Sequence, residues 1–333
     1  MTGHPDANGA SESVAGSRGH CPPQPSTCPS RDPGRFQPLL ILAPARSCTS
    51  VVAAMLGQHP DLYSFPELTL FNGSTVADIL DQDRLPFRSK SAVSVKRYHI
   101  SGLLRAIAQV EIGGQTEADA SAARRWLEVR RNWSGVHVFD VLLSRVQPRT
   151  GIDKSPDTAM SDDNLSRVVA GFPRARFLHL TRHPVTTIRS LQRYWFAHWP
   201  GSRQELLVAA TSSWCAVHER ALALARLLQP SRCLRAQAEV ILSREAPGLE
   251  RVVGWLGLER GSEALGAMRH PENSPYSGFG PANARGGNDP LYLRDPRPRI
   301  QAPGRLEEIS TWGLDDALAR RVLETAEALG YST

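Results

Sequence analysis

The sequence predicts an α/β protein built on a parallel sheet flanked by helices, and three stretches carry the prediction. The first is Leu39-Leu40-Ile41-Leu42, an apolar run of strand length between Pro38 and Pro44 that leads into a small turn and a helix. The second is Phe177-Leu178-His179-Leu180, which leads through Arg182 into a helix opened by Pro184. The third is Thr150-Gly151-Ile152-Asp153, which ends at Lys154-Ser155-Pro156. An apolar run without alternation suits a strand covered on both faces, as in parallel sheets. Proline is favoured at the first position of a helix.

The first stretch is the one around which the rest is organised. After Leu42 comes Ala45-Arg46-Ser47-Cys48-Thr49-Ser50, then a helix with Val51, Val52, Met55 and Leu56 inward, stopping near Gly57. A strand, a tight turn and a helix N-terminus make an anion cradle, because free N–H groups and the helix dipole both favour negative charge. Ser47, Thr49 and Ser50 add hydroxyls, and Arg46 adds a forked cation suited to phosphate or sulfate oxygens. The GxxxxGK[ST] pattern is absent, which argues against ordinary ATP hydrolysis.

At 333 residues, 41% of them hydrophobic, the chain holds one large α/β domain or that domain plus a helical cap. We expect residues 1–35, rich in Gly, Pro and Ser, to be a disordered tail, and residues 36–333 to be a single domain with a helical insert over about 74–147. A net charge of +6 fits an anionic ligand. No basic run or nucleic-acid signature is present, so no nucleic-acid partner is expected. Arginine supplies most of the positive charge; the lysines are Lys90, Lys96 and Lys154. The five cysteines (Cys21, Cys28, Cys48, Cys215, Cys233) are scattered, and the N-terminus lacks the features of a secretory signal. No apolar run approaches the ~20 residues of a membrane helix. A reduced cytoplasmic protein without membrane association is expected, and Cys21 and Cys28 have no second Cys/His pair with which to build a zinc site.

Further elements are a strand at Leu62–Phe65 ending at Pro66-Glu67 and a short helix from Ser74, with Ser74 as its cap, to Asp81. Three helical segments follow, at His99–Ile107, Ala118–Val129 and Val136–Val146. Helices are expected at Ser161–Ala170, 203–229 and Leu314–Leu329, and a strand at Cys233–Glu239. The insert is a candidate cap over an acceptor site. Tyr194, Trp195, Phe196 and Trp199 read either as core packing or as an aromatic pocket lining.

Pro44-Ala45-Arg46-Ser47-Cys48-Thr49-Ser50, Leu56-Gly57-Gln58-His59-Pro60-Asp61-Leu62-Tyr63 and Pro66-Glu67 resemble the sulfotransferases that use 3′-phosphoadenosine 5′-phosphosulfate (PAPS). The resemblance is closest to the bacterial branch with [AP]PRSGT[ST] and LGQHPDLYxxPE. Lys154-Ser155-Pro156 resembles that family's [DE]K[ST]P, and Phe172-Pro173-Arg174-Ala175-Arg176-Phe177-Leu178-His179-Leu180-Thr181-Arg182-His183-Pro184 its FPxARFIHLxRxP. The resemblance implies the sulfotransferase fold, a P-loop-NTPase-like sheet, and PAPS as cofactor with PAP as its product. It assigns the 5′-phosphosulfate to Arg46, Ser47, Cys48, Thr49 and Ser50. It assigns the 3′-phosphate to Arg182 and to Ser190, eight residues later. Arg285-Gly286 resembles the loop that closes over that phosphate. Cys48 stands where the family has Gly, which bars any conformation that only Gly tolerates, and Ala45 stands where it has Pro.

The resemblance also implies the chemistry. Glu67 lies 21 residues after Arg46, the spacing of the catalytic Glu in the branch that includes tyrosylprotein sulfotransferases. Glu67 is the expected general base, with His99 as the alternative, while Arg46 and Lys154 stabilise the leaving group. No metal is required. The expected function is sulfuryl transfer from PAPS to an alcohol or phenol of a small molecule, such as a secondary metabolite. A nucleotide-dependent kinase on a related fold and an inactive nucleotide-binding scaffold are the alternatives.

Overall fold

Parallel pairing places the three motif-bearing strands side by side at the centre of one sheet. In the computed structural model, which describes residues 35–84, 100–243, 247–299 and 302–332, the order is β2-β3-β1-β4-β5. The strands are β1 (Leu39–Leu42), β2 (Leu62–Ser64), β3 (Thr150–Asp153), β4 (Arg176–Thr181) and β5 (Cys233–Gln237). Leu39 pairs with Ile152 of β3 on one side and with Arg176 of β4 on the other. The three central strands therefore end together, and the turn after β1, Lys154 after β3 and Arg182 after β4 emerge at one edge. Ligands of open α/β sheets bind outside that carboxyl edge.

The apolar run of β1 is buried on both faces, as its lack of alternation predicts. Leu40 and Leu42 enter one core cluster and Leu39 and Ile41 another, each no more than 1% exposed. Each such leucine contributes about 1.5–3 kcal/mol through burial. Helix α1 (Thr49–Leu56) follows the turn and is buried throughout. The insert supplies α2 (Val76–Arg84), α3 (Ser101–Ile107), α4 (Glu117–Glu128) and α5 (Gly135–Arg145), packed on the β1 face that carries Leu40. Beyond it come α6 (Asp162–Gly171), α7 (Pro184–His198), α8 (Arg203–Leu227), α9 (Ala238–Ile241), α10 (Pro247–Leu256), α11 (Ser262–Ala267), α12 (Pro290–Arg294) and α13 (Asp316–Ala328). Among the described residues no helix is long and apolar enough to cross a membrane.

Among the boundaries that differ from expectation, two are set by side-chain bonds. Thr75, not Ser74, caps α2: its hydroxyl accepts the Asp78 N–H, while the Asp78 carboxylate accepts the N–H groups of Ser74 and Thr75. The last strand stops at Gln237, and Ala238-Glu239 opens α9. The Glu239 carboxylate there accepts the His183 N–H at 2.8 Å. Residues 1–34 of the expected tail, with Cys21 and Cys28, and His99 lie outside the described residues.

A buried histidine pair links the sheet to α8. His179 Nε2 and His218 Nδ1 lie 2.8 Å apart, and both residues are no more than 1% exposed. Burial pushes His179 down to about 3, with Arg235 adding to the effect, and burial and then His179 push His218 the same way. The unfolded imidazoles titrate near 6.5. Below that pH the unfolded chain binds protons that the folded chain does not. Stability is therefore full above about pH 6.5 and falls below it, for His179 by about 1.4 kcal/mol per pH unit toward about pH 3, with His218 acting in the same direction. Urea midpoints measured between pH 7.5 and 5.5 should fall steeply for the wild type and less steeply for His218→Phe.

Candidate active site

The turn after β1 is curled by two left-handed residues, Arg46 at φ 71° and Cys48 at φ 63°. Cys48, with ψ 19°, sits in the left-handed well that non-glycine residues enter at a cost of about 1–2 kcal/mol. The family's glycine is thus replaced without loss of the turn, and successive N–H groups in such a turn form an anion-binding concavity. Burial pushes the Cys48 thiol up, Arg182 opposing it, so the residue is a neutral thiol rather than a nucleophile. Cys48→Gly should keep the fold, with unfolding free energy within about 1 kcal/mol of wild type because relief of strain is offset by glycine's chain entropy. Chemical denaturation measures this directly.

Two of the expected residues bond to Arg46. Its Nε donates to Ser190 Oγ at 3.2 Å, and Arg182 Nη1 donates to its carbonyl at 2.7 Å. Ser47 is fully buried, and its hydroxyl has no hydrogen-bond partner among the described residues. Lys154, also buried, spans the site from the other side. Its ammonium donates to Ser50 Oγ at 3.0 Å and to Glu67 Oε1 at 2.8 Å. Glu67 itself is 28% exposed, so its carboxylate is pinned by Lys154 yet open to solvent.

Two glycines make the position of Glu67 possible. A Cβ on Gly102 of α3 would lie 2.0 Å from the Glu67 carbonyl oxygen, so any side chain there would push the helix off the strand end. Gly287, at φ 100°, abuts Gly102, and its carbonyl accepts the Glu67 N–H at 2.7 Å. The insert and the C-terminal loop thus clamp the expected base between them.

The chain from residue 38 to 262 matches the family model described as "Sulfotransferase family". It belongs to the sulfotransferase family. Among solved structures, the sulfotransferase domain from the curacin biosynthetic pathway superposes with a TM-score of 0.70 at 21% identity, covering 90% of this chain and 99% of that one. The sulfotransferase domain of the Synechococcus PCC 7002 olefin synthase gives 0.66 at 23% identity, covering 92% and 98%. The sulfotransferase STF9 from Mycobacterium avium gives 0.51 at 17% identity, covering 89% and 78%. No curated protein sequence matches.

In this sulfotransferase, Arg285 is exposed, its guanidinium 5.0 Å from the Phe279 ring, and the Gly286 carbonyl accepts from Arg105 Nη1 at 3.2 Å. The aromatic cluster divides. Trp195 is core and stacks with Trp199 at 4.7 Å, whereas Tyr194 faces the site, its ring 5.6 Å from the Arg46 guanidinium. The Tyr194 hydroxyl is pushed up by burial and then by the carboxylates of Glu67 and Asp289, with Arg46 opposing. Asp289 is the residue that the sequence reading missed: its carboxylate pairs with Arg46 at 2.5 Å, and its N–H donates to Ser50 Oγ at 2.9 Å. The sequence offers one sign of it, an Asp immediately before Pro290, which marks a helix start.

Proposed function

We propose that this sulfotransferase uses PAPS and transfers its sulfuryl group to the hydroxyl of a small-molecule alcohol or phenol, with Glu67 as general base. The observation that carries the reading is the buried ammonium of Lys154, which touches both the cradle, at Ser50, and Glu67.

The residues present fit the cofactor. The buried Ser47 hydroxyl, unpartnered among the described residues, and the backbone N–H groups at the start of α1 suit oxyanions. Arg182 and Ser190, both tied to Arg46, supply a second group of donors of the kind a 3′-phosphate needs. Thr49, buried in the first turn of α1, and Cys48 complete the wall. We assign Arg285 and Gly286 to the rim of the same site.

When bound, PAPS would supply the sulfuryl group: the S–O bond to its bridging oxygen would break as the acceptor oxygen bonds to sulfur, and that oxygen would leave on PAP. Glu67 takes the proton that the acceptor hydroxyl loses. As the carboxylate is neutralised it pulls less on Lys154, and the ammonium, already at Ser50, is left to meet negative charge growing on the cradle side. Arg46 adds a second cation there. A fixed donor such as the buried Lys154 ammonium needs no rearrangement when the charge develops. Tyr194 borders Glu67 and offers an aromatic wall to the acceptor.

The test is incubation with PAPS and a panel of alcohols and phenols, read by mass spectrometry. Sulfated product together with an equal amount of PAP supports the reading. Phosphorylated product with ATP and Mg²⁺ instead would show a kinase, and a chain that turns over neither cofactor would show a binding scaffold.

A further inference from the structure

We propose that Asp289 is a specificity-determining residue: it is the internal anion that Arg46 exchanges for the oxyanions of its ligand, so that weakly charged anions are kept out of the cradle. The inference rests on the reading of that turn as an oxyanion site. Arg46 Nη1 donates to Asp289 Oδ2 at 2.5 Å, with the two side chains only 11% and 22% exposed. Ser190 takes Nε of the same guanidinium, so two of its donor nitrogens are engaged within the protein. A carboxylate and a phosphate or sulfate present the same fork to arginine, and both cannot hold the same donor.

The structure also indicates which partner moves. Asp289 is anchored: its Oδ1 accepts the Leu291 N–H at 2.8 Å and its own N–H donates to Ser50. The loop behind it is tied down by Gly287 to Glu67, by Gly286 to Arg105, and by the Asn288 side chain to the Tyr276 carbonyl. Arg46 is the long side chain of the pair, so Arg46 leaves and Asp289 stays. The carboxylate that stays behind repels whatever anion enters. A ligand with few charges gains little by the exchange, whereas one that also reaches Arg182 and Ser190 recovers the loss there.

The test is calorimetric titration of the full chain, wild type, Asp289→Asn and Asp289→Glu, with PAP and separately with inorganic sulfate. Asparagine keeps the helix cap while removing the charge. The expected result is that Asp289→Asn binds PAP roughly tenfold more tightly than wild type and binds sulfate more tightly by at least the same factor. Asp289→Glu, which keeps the charge, should stay near wild type. Unchanged or weaker binding of both ligands by Asp289→Asn would overturn the proposal and make Asp289 a group that merely positions Arg46. If the wild type and both variants bind no PAP but Asp289→Asn gains sulfate, the exchange stands and the PAPS reading falls.

Discussion

Glu67→Gln should lower the rate of sulfuryl transfer by about 10²–10⁴-fold, the usual contribution of a positioned general base, while leaving the affinity for PAP within a few-fold of wild type. The glutamine carbonyl can still accept from Lys154, which sits 2.8 Å from Glu67 Oε1, so the buried ammonium keeps a partner and the fold survives. What is lost is the capacity to take a proton. Single-turnover rates with PAPS, combined with calorimetry of PAP, separate the two effects. A variant that keeps its rate would show that another group is the base, and one that loses PAP binding would show that Glu67 serves the cradle instead.

Lys154→Met should have an effect of comparable size by a different route. The ammonium is 1% exposed and bonds to both Ser50 and Glu67, so its loss removes a charge aimed at the cradle and releases Glu67, the proposed base, from its fixed orientation. Removal of one such preorganised donor costs about 10²–10³ in rate. The destabilisation should be smaller than the 3–5 kcal/mol typical of a broken buried pair, because Glu67 at 28% exposure can turn to water. Lys154→Arg should not rescue the rate, since a planar fork does not replace a compact ammonium in a fully packed space. The kcat of both variants, set against their urea midpoints, tests the distinction.

Much of the fold was legible because it is local. The apolar run of β1 gives its own burial, since Leu39 and Ile41 face one core and Leu40 and Leu42 the other. The motifs at Arg46, Lys154 and Arg182 each follow a strand, and the parallel order brings those three strand ends together. The parts that were not legible are juxtapositions across the chain. Asp289 meets Arg46 across 243 residues, and neither residue's neighbours signal the other. Gly102 matters only because α3 lies against the carbonyl of Glu67, which no periodicity reveals. Cys48 looked like a departure from the glycine of the family because the sequence does not show which left-handed conformation the turn requires. At φ 63° and ψ 19° it is one that cysteine can reach. The end of the last strand was misplaced for a similar reason: Ala238 and Glu239 extend the strand's composition, but the Glu239 carboxylate is drawn into bonds with the His183 N–H and the Tyr331 hydroxyl.

The proposed function requires the cradle and the Arg182–Ser190 pair together to form a site for a nucleotide bearing phosphates at both the 5′ and 3′ positions. Calorimetric titration with 3′,5′-adenosine bisphosphate, against 5′-AMP and ATP with Mg²⁺, tests it most directly. A clear preference for the bisphosphate is expected, and it should disappear in Arg182→Ala, leaving that variant unable to distinguish it from 5′-AMP. Preferential binding of ATP with Mg²⁺, or a preference for the bisphosphate that survives the loss of Arg182, would contradict it.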